Sequence, residues 1–180
     1  LKGSTVMQGY YKNEEMTNKT IVNGYLHTGD IGEIDADGFL KITDRKKEIF
    51  KTSGGKYIAP AVIESAFKQS RFIEQIMVIG ESEKMPAAFI QINLEFAKEW
   101  AIRKELNPDT ILTHQRFIHR IKKEIDFYNQ KFGKWEQIKK FEITKDVWTV
   151  ESGHLTPTLK MRRKVIKEKY KNLHQKIYNS

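Results

Sequence analysis

The sequence predicts an α+β fold, and three observations carry that prediction. Residues 1 to 43 are rich in glycine and read as short strands and turns. From Arg45 onward the apolar pattern alternates between strand and helix periods. Two nearly continuous apolar runs, Ile73 to Gly80 and Ala87 to Leu94, suit the middle of a sheet.

Taken in order, Gly24 to His27, Ile31 to Ile34 and Phe39 to Ile42 are extended candidates. Asp35-Ala36-Asp37-Gly38 supplies hairpin turn chemistry between the last two. Apolar residues are too sparse here for the segment to build its own core, so it is expected to lean on another body. Lys47 to Lys51 reads as a strand, followed by the flexible Ser53-Gly54-Gly55 turn. Pro60 suits the first turn of a helix whose apolar face is Val62, Ile63, Ala66 and Phe67. The two central strands join through Glu83-Lys84-Met85-Pro86, and a short helix follows over Phe96 to Glu105. Asp109 is a good N-cap for a longer helix, with Ile111, Phe117 or Ile118, Ile121, Ile125 and Phe132 at helical spacing. Lys140 to Thr144 is a further strand. A last helix is expected from Met161 to Tyr178, with Met161, Val165, Tyr170, Leu173 and Ile177 on one stripe.

With 39% hydrophobic content, the 180 residues suffice for one compact domain and a small appendage. A formal charge of +9 favours anionic partners: nucleic acid, acidic membrane surfaces or phosphorylated small molecules. The lack of cysteine excludes disulfides and thiolate metal sites and fits a reducing compartment. No apolar run approaches the ~20 residues of a membrane span.

No self-sufficient active site is visible. The chain lacks a His-Glu-x-x-His motif and a nucleophile elbow, and its five histidines are scattered. Three features remain, each with more than one reading. Asp30, in His27-Thr28-Gly29-Asp30, is either an acceptor for a ribose diol or ordinary turn chemistry. The segment from Asp44 to Pro60 is a charged edge strand, a phosphate-binding loop or a joint, although the glycine-lysine spacing of a phosphate loop is absent. The basic run from Lys160 to Lys164 opens a helix whose dipole it opposes. It therefore either seeks an anion or is a solvated face.

In sequence order, these features resemble the C-terminal part of adenylate-forming enzymes, the acyl-CoA synthetases related to firefly luciferase and peptide-synthetase adenylation domains. The resemblance runs through Val6 to Tyr10, Gly24 to Asp30, Asp44 to Glu48, Lys51, Ser53 to Pro60 with Glu64, and Lys160. The Lys51-Thr52-Ser53-Gly54-Gly55-Lys56 wording and the ending Leu155 to Arg163 look like the long-chain fatty acid–CoA ligase branch. Short-chain relatives usually place glycine before the late lysine, where this chain has Leu159, which argues against an acetyl-type enzyme.

The resemblance implies a small mobile C-terminal domain with a short central sheet flanked by helices, preceded by strands of a large N-terminal domain. Residues 1–43 would end the large AMP-binding domain, 44–51 form the hinge, and 52–180 form the small domain. It implies two steps: adenylation of a fatty acid by ATP, then transfer of the acyl group to coenzyme A with release of AMP. By matching position, Asp30 and Arg45 would hold the nucleotide's ribose, Lys160 would serve adenylation, Lys47 would be the hinge residue, and Lys51, Gly54 and Gly55 would form the loop facing coenzyme A. Magnesium is expected with ATP, but no metal ligands are expected in this chain. The phosphate loop of relatives lies upstream and is not matched here. The chain, which starts at Leu1, is thus expected to be the C-terminal third of an enzyme, inactive without its N-terminal domain. A cytoplasmic location is expected, with peripheral membrane contact left open. Two rivals stand beside this: an acyl-AMP ligase or luciferase-like enzyme, and a basic module binding nucleic acid or a membrane surface.

Overall fold

A computed structural model describes residues 1 to 179, with the side chains of Thr43 and Asp44 outside the description. The chain divides into two compact units, Leu1–Glu48 and Ile49–Ser180. The fold is α+β, with small sheets and helices.

The first unit opens with helix α1 (Glu14–Thr20), where only strands and turns were predicted. Apart from Met16 its residues are polar, and it carries no apolar stripe. Asn13 caps it by accepting from the Met16 N–H, and Lys19 pairs with Glu15 one turn back. Strands β1 (Ile21–Val22) and β2 (Tyr25–Leu26) form a short ribbon. Strands β3 (Asp30–Ile34) and β4 (Leu40–Arg45) form an antiparallel hairpin. The Asp35 turn behaves as its chemistry predicts: its carboxylate accepts from the Asp37 and Phe39 N–H groups, and Gly38 takes φ +87°. None of the described side chains of this unit is buried, and Ile34, Phe39, Leu40 and Ile42 are exposed.

The second unit begins with a hairpin of β5 (Phe50–Lys51) and β6 (Tyr57–Ile58), shorter than the predicted strand from Lys47. Helix α2 (Pro60–Phe67) buries Ile63, Glu64 and Phe67 but leaves Val62 exposed. A three-stranded sheet follows in the order β7-β8-β9, from β7 (Ile73–Ile79), β8 (Ala87–Ile92) and β9 (Lys140–Thr144). β8 is central and buried along its whole length, antiparallel to β7 and parallel to β9.

Helix α3 (Leu94–Arg103) is capped by Asn93. The long helix predicted from Asp109 is two pieces. A 3-10 turn, Pro108–Thr113, is capped by Asn107, and α4 (Gln115–Asn129) restarts after the extended residue His114. The last helix is also divided, into α5 (Arg163–Lys169) and α6 (Lys171–Asn179), with a break at Tyr170.

Strand alternation gives the sheet two apolar faces. Ile76, Val78, Ala88 and Ile90 pack with Phe67 of α2, Ala97 of α3 and Phe117 of α4. On the other face, Met77, Ile79, Ala87 and Phe89 pack with Trp148, Ile166, Tyr170 and Ile177.

Candidate functional site

In the first unit, Asp30 and Arg45 are cross-strand partners, because the β3–β4 register sets them opposite one another. Arg45 Nε lies 3.0 Å from Asp30 Oδ1, with the carboxylate side chain 24% exposed and the arginine 58%. The approach to Asp30 is shaped by its neighbours. Gly29 takes φ +77°, its carbonyl accepts from the Lys46 N–H at 2.8 Å, and Thr28 Oγ1 accepts from the Asp30 N–H at 3.2 Å. The result is a half-buried carboxylate with a guanidinium alongside. Such a pair can accept from hydroxyls and donate to oxygens at one point.

Lys47 follows in the turn after β4, where the Glu48 N–H donates to the Arg45 carbonyl at 2.9 Å. Its side chain is exposed. The boundary between the two units falls one residue later.

Lys51, Gly54 and Gly55 share the β5–β6 hairpin. The Thr52 N–H donates to the Lys56 carbonyl, and the Gly55 N–H to the Thr52 carbonyl, each at 2.9 Å. Gly55 takes φ +80°, which favours glycine, whereas a methyl group at Gly54 would meet only Thr52 Oγ1 at 4.0 Å. The hairpin is anchored from behind: the Ser82 N–H donates to the Lys51 carbonyl and the Ser53 N–H to the Glu83 carbonyl, both at 2.9 Å. Lys51 lies over the Tyr57 ring (5.5 Å) and Lys56 over the Trp135 ring (5.6 Å). Both rings are largely exposed. The hairpin thus presents bare backbone beside ammonium groups and flat aromatic faces.

Lys160 sits in a separate, tightly bonded loop of the second unit. The Thr156 N–H donates to the Lys160 carbonyl (2.8 Å), the Leu159 N–H to the Thr156 carbonyl (2.8 Å), and the Lys160 N–H to Thr156 Oγ1 (3.1 Å). Leu159 takes φ +59°, the conformation that glycine adopts without strain. For leucine this costs about 1–2 kcal/mol, offset by the Thr156 bonds. The Lys160 side chain is exposed and makes no hydrogen bond or ion pair among the described residues.

The profile of the AMP-binding enzyme C-terminal domain matches residues 47–180. The chain belongs to this family. The long-chain-fatty-acid–CoA ligase FadD15 of Mycobacterium tuberculosis is 37% identical over 183 residues, covering 99% of this chain and 30% of the relative. A rat long-chain-fatty-acid–CoA ligase is 36% identical over 185 residues, 99% of this chain and 26% of the relative. Among solved structures, the adenylation domain of a carboxylate reductase from Mycobacterium chelonae superposes with TM-score 0.81 at 27% identity. That match covers 99% of this chain and 27% of that one. The chain therefore spans less than a third of the relatives it matches.

Within this AMP-binding C-terminal domain, a buried ion pair escaped sequence reasoning. Glu64 of α2 accepts from Arg163 Nη2 at 2.7 Å and from the Val78 N–H at 2.7 Å, while Arg163 Nη1 reaches the Val78 carbonyl at 3.5 Å. The pair serves both main-chain groups of Val78 and blunts the β7 edge of the sheet. Arg163, one of the cations in the late basic run, is thus neutralised within the fold, and the helix dipole is not opposed by an unscreened charge there. The one signal in the sequence was a carboxylate at 64, between the apolar positions Ile63 and Phe67.

Behind the Lys160 loop, His154 is fully buried and bonded through Nδ1 to Ser152 Oγ at 2.6 Å. Its ring stacks with Tyr170 at 6.2 Å and Trp148 at 6.4 Å. Burial, and then the charge of Lys169, hold its imidazole below the usual histidine range, against an opposing pull from Asp146. Burial and a hydrogen bond to Asp146 push the Tyr170 phenol up to about 12. The same bond, with help from Lys169, lowers the Asp146 carboxyl. The His154 carbonyl accepts from the Arg162 N–H at 2.8 Å, and Leu155 bridges Met161, so this cluster forms the base of the loop.

Proposed function

We propose that this chain is the C-terminal part of a long-chain fatty acid–CoA ligase. In the first step a fatty acid carboxylate oxygen attacks the α-phosphorus of ATP and pyrophosphate leaves. In the second, the sulfur of coenzyme A attacks the acyl carbonyl, AMP leaves, and the thiol proton passes to solvent. The observation that carries this reading is identity of 36–37% along almost the whole chain to long-chain-fatty-acid–CoA ligases.

On this reading Asp30 accepts from the ribose hydroxyls and Arg45 holds the carboxylate in place while donating to the same sugar. Lys160, an exposed ammonium on a hydrogen-bonded loop, stabilises charge on the α-phosphate as the carboxylate attacks. Lys47 is the hinge between adenylation and thioester-forming arrangements. Lys51, Gly54 and Gly55 then line the approach of the pantetheine arm, which the open backbone at Gly54 would admit. Residues 1–43 end the large domain, 44–51 form the hinge, and 52–180 form the small domain. The exposed apolar residues of the first unit support that assignment, since they need a larger body to cover them. Magnesium, expected with ATP, is assigned to the nucleotide's phosphates by the same resemblance. Among the described residues no helix is long and apolar enough to cross a membrane. The charge of +9 supports peripheral contact with an anionic surface.

The likeness to a carboxylate reductase adenylation domain favours one second reading, in which the adenylate passes to another acceptor. Incubating the intact protein with palmitate, ATP and coenzyme A separates the two. The proposal expects palmitoyl-CoA and AMP, and accumulation of adenylate without thioester would favour the second reading. The 180 residues alone are expected to form no acyl-adenylate, and detecting it would overturn the domain assignment.

A further inference from the structure

The two edges of the three-stranded sheet are treated differently. At β7 the Glu64–Arg163 pair covers the main chain of Val78. At β9 the edge opens into a groove of about 870 Å³. Residues 138 to 143, 145 and 146 all line it, so side chains of both strand parities border the same space. In a strand, neighbouring side chains point to opposite faces, and β9 does this: Phe141 and Ile143 pack with the α4 core, whereas Lys140 donates to the Ile177 carbonyl and Glu142 pairs with Lys176 of α6. A space bordered by both parities therefore lies beside the strand and not on one face of the sheet. Its walls agree, with Ile118 and Ile125 from α4 on one side and Leu173 and Ile177 from α6 on the other.

We propose that this groove takes a fourth strand: an extended, acidic peptide segment of a partner protein, added alongside β9. Three features select that occupant. Alternate main-chain groups of an edge strand point away from its one neighbour and offer donors and acceptors to an added strand. The apolar walls suit every second side chain of such a segment. The rim is basic: among the described residues Lys122 and Lys145 are exposed and form no ion pair, and the Lys139 ammonium bonds only the neutral Gln137. Of the three carboxylates at the groove, Glu142 is matched by Lys176 and Asp146 by Lys169. An acyl chain would fill the walls but leave the strand's polar groups dry. A second copy would set Lys139 and Lys145 against their own like charges.

Fluorescence anisotropy of the intact chain with a labelled peptide of alternating glutamate and valine, long enough to span β9, tests this. Binding is expected with Kd of about 10–100 μM. Replacing glutamate by lysine in the peptide, or N-methylating alternate residues, should each weaken it about tenfold or more. Lys122→Glu combined with Lys145→Glu should do the same, while Lys104→Glu, away from the groove, should change nothing. No binding at about 1 mM peptide would overturn the proposal. So would equal binding of the N-methylated peptide together with displacement by palmitate, which would make the groove a lipid slot. Dimerisation that protects the β9 amides from hydrogen exchange without peptide would assign the edge to a second copy and also overturn it.

Discussion

Removing the Glu64 carboxylate is predicted to destabilise the second unit strongly and to loosen the start of α5, just beyond Lys160. The carboxylate is 6% exposed and Arg163 23%, so Glu64→Ala takes the Glu64 carboxylate from a mostly buried guanidinium and the acceptor from the Val78 N–H. Breaking a buried pair from one side costs about 3–5 kcal/mol. The residual exposure of Arg163 allows some hydration, which places the expected loss near the low end, about 3 kcal/mol. Glu64→Gln keeps an acceptor for Val78 but loses the charge, for an expected loss of about 1.5–3 kcal/mol. The combined change Glu64→Leu with Arg163→Met removes both charges and should cost less than the two single changes summed. Urea unfolding of the 180-residue chain at neutral pH, followed by tryptophan fluorescence and hydrogen exchange at Val78, reads all of these. A loss below about 1 kcal/mol for Glu64→Ala, with Val78 still protected, would refute the account of the β7 edge.

Two further outcomes follow from the geometry. The imidazole of His154 is held below its ordinary value near 6.5, so the unfolded chain binds its proton more readily than the folded one. Stability is therefore complete above that value and declines as pH falls through it toward the depressed folded value. The decline should flatten in His154→Gln, and an unchanged slope in urea titrations between about pH 7.5 and 5.5 would count against it. At Gly54 a methyl group finds ordinary space, so Gly54→Ala should fold normally and keep adenylation in the intact enzyme while slowing thioester formation. Equal slowing of both half-reactions would remove the loop from the coenzyme A side.

Much of the second unit was legible because its signals are local. Strands β7 (Ile73–Ile79) and β8 (Ala87–Ile92) fall within the runs predicted at 73–80 and 87–94, and Pro60 starts α2; in the first unit, the Asp35 turn closes its hairpin. The misses have physical causes. Helix α1 rests on a cap and an i,i+4 pair instead of a stripe, and the actual caps at Asn107 and His114 lie within a few residues of the equally plausible Asp109. The stripe continuing through Tyr170 hid a break, because both pieces of the last helix pack on the same face of the sheet. For the proposed site, Gly54, Gly55, Asp30 and Arg45 were marked by resemblance, and the structure brings Asp30 and Arg45 together through a hairpin that was itself readable. Glu64 and Arg163 lie 99 residues apart, and no local pattern marks them as partners. The role of Lys160 rests on resemblance, since a solvated lysine carries no chemical signature of its own.

The central claim, that Lys160 serves adenylation, is tested most directly by Lys160→Ala in the intact enzyme with the two half-reactions measured separately. The account predicts that acyl-adenylate formation falls by about 10²–10³, the usual cost of removing one transition-state charge partner, while thioester formation from supplied acyl-adenylate stays near the unmodified rate. Equal loss in both half-reactions, or normal adenylation, would contradict it.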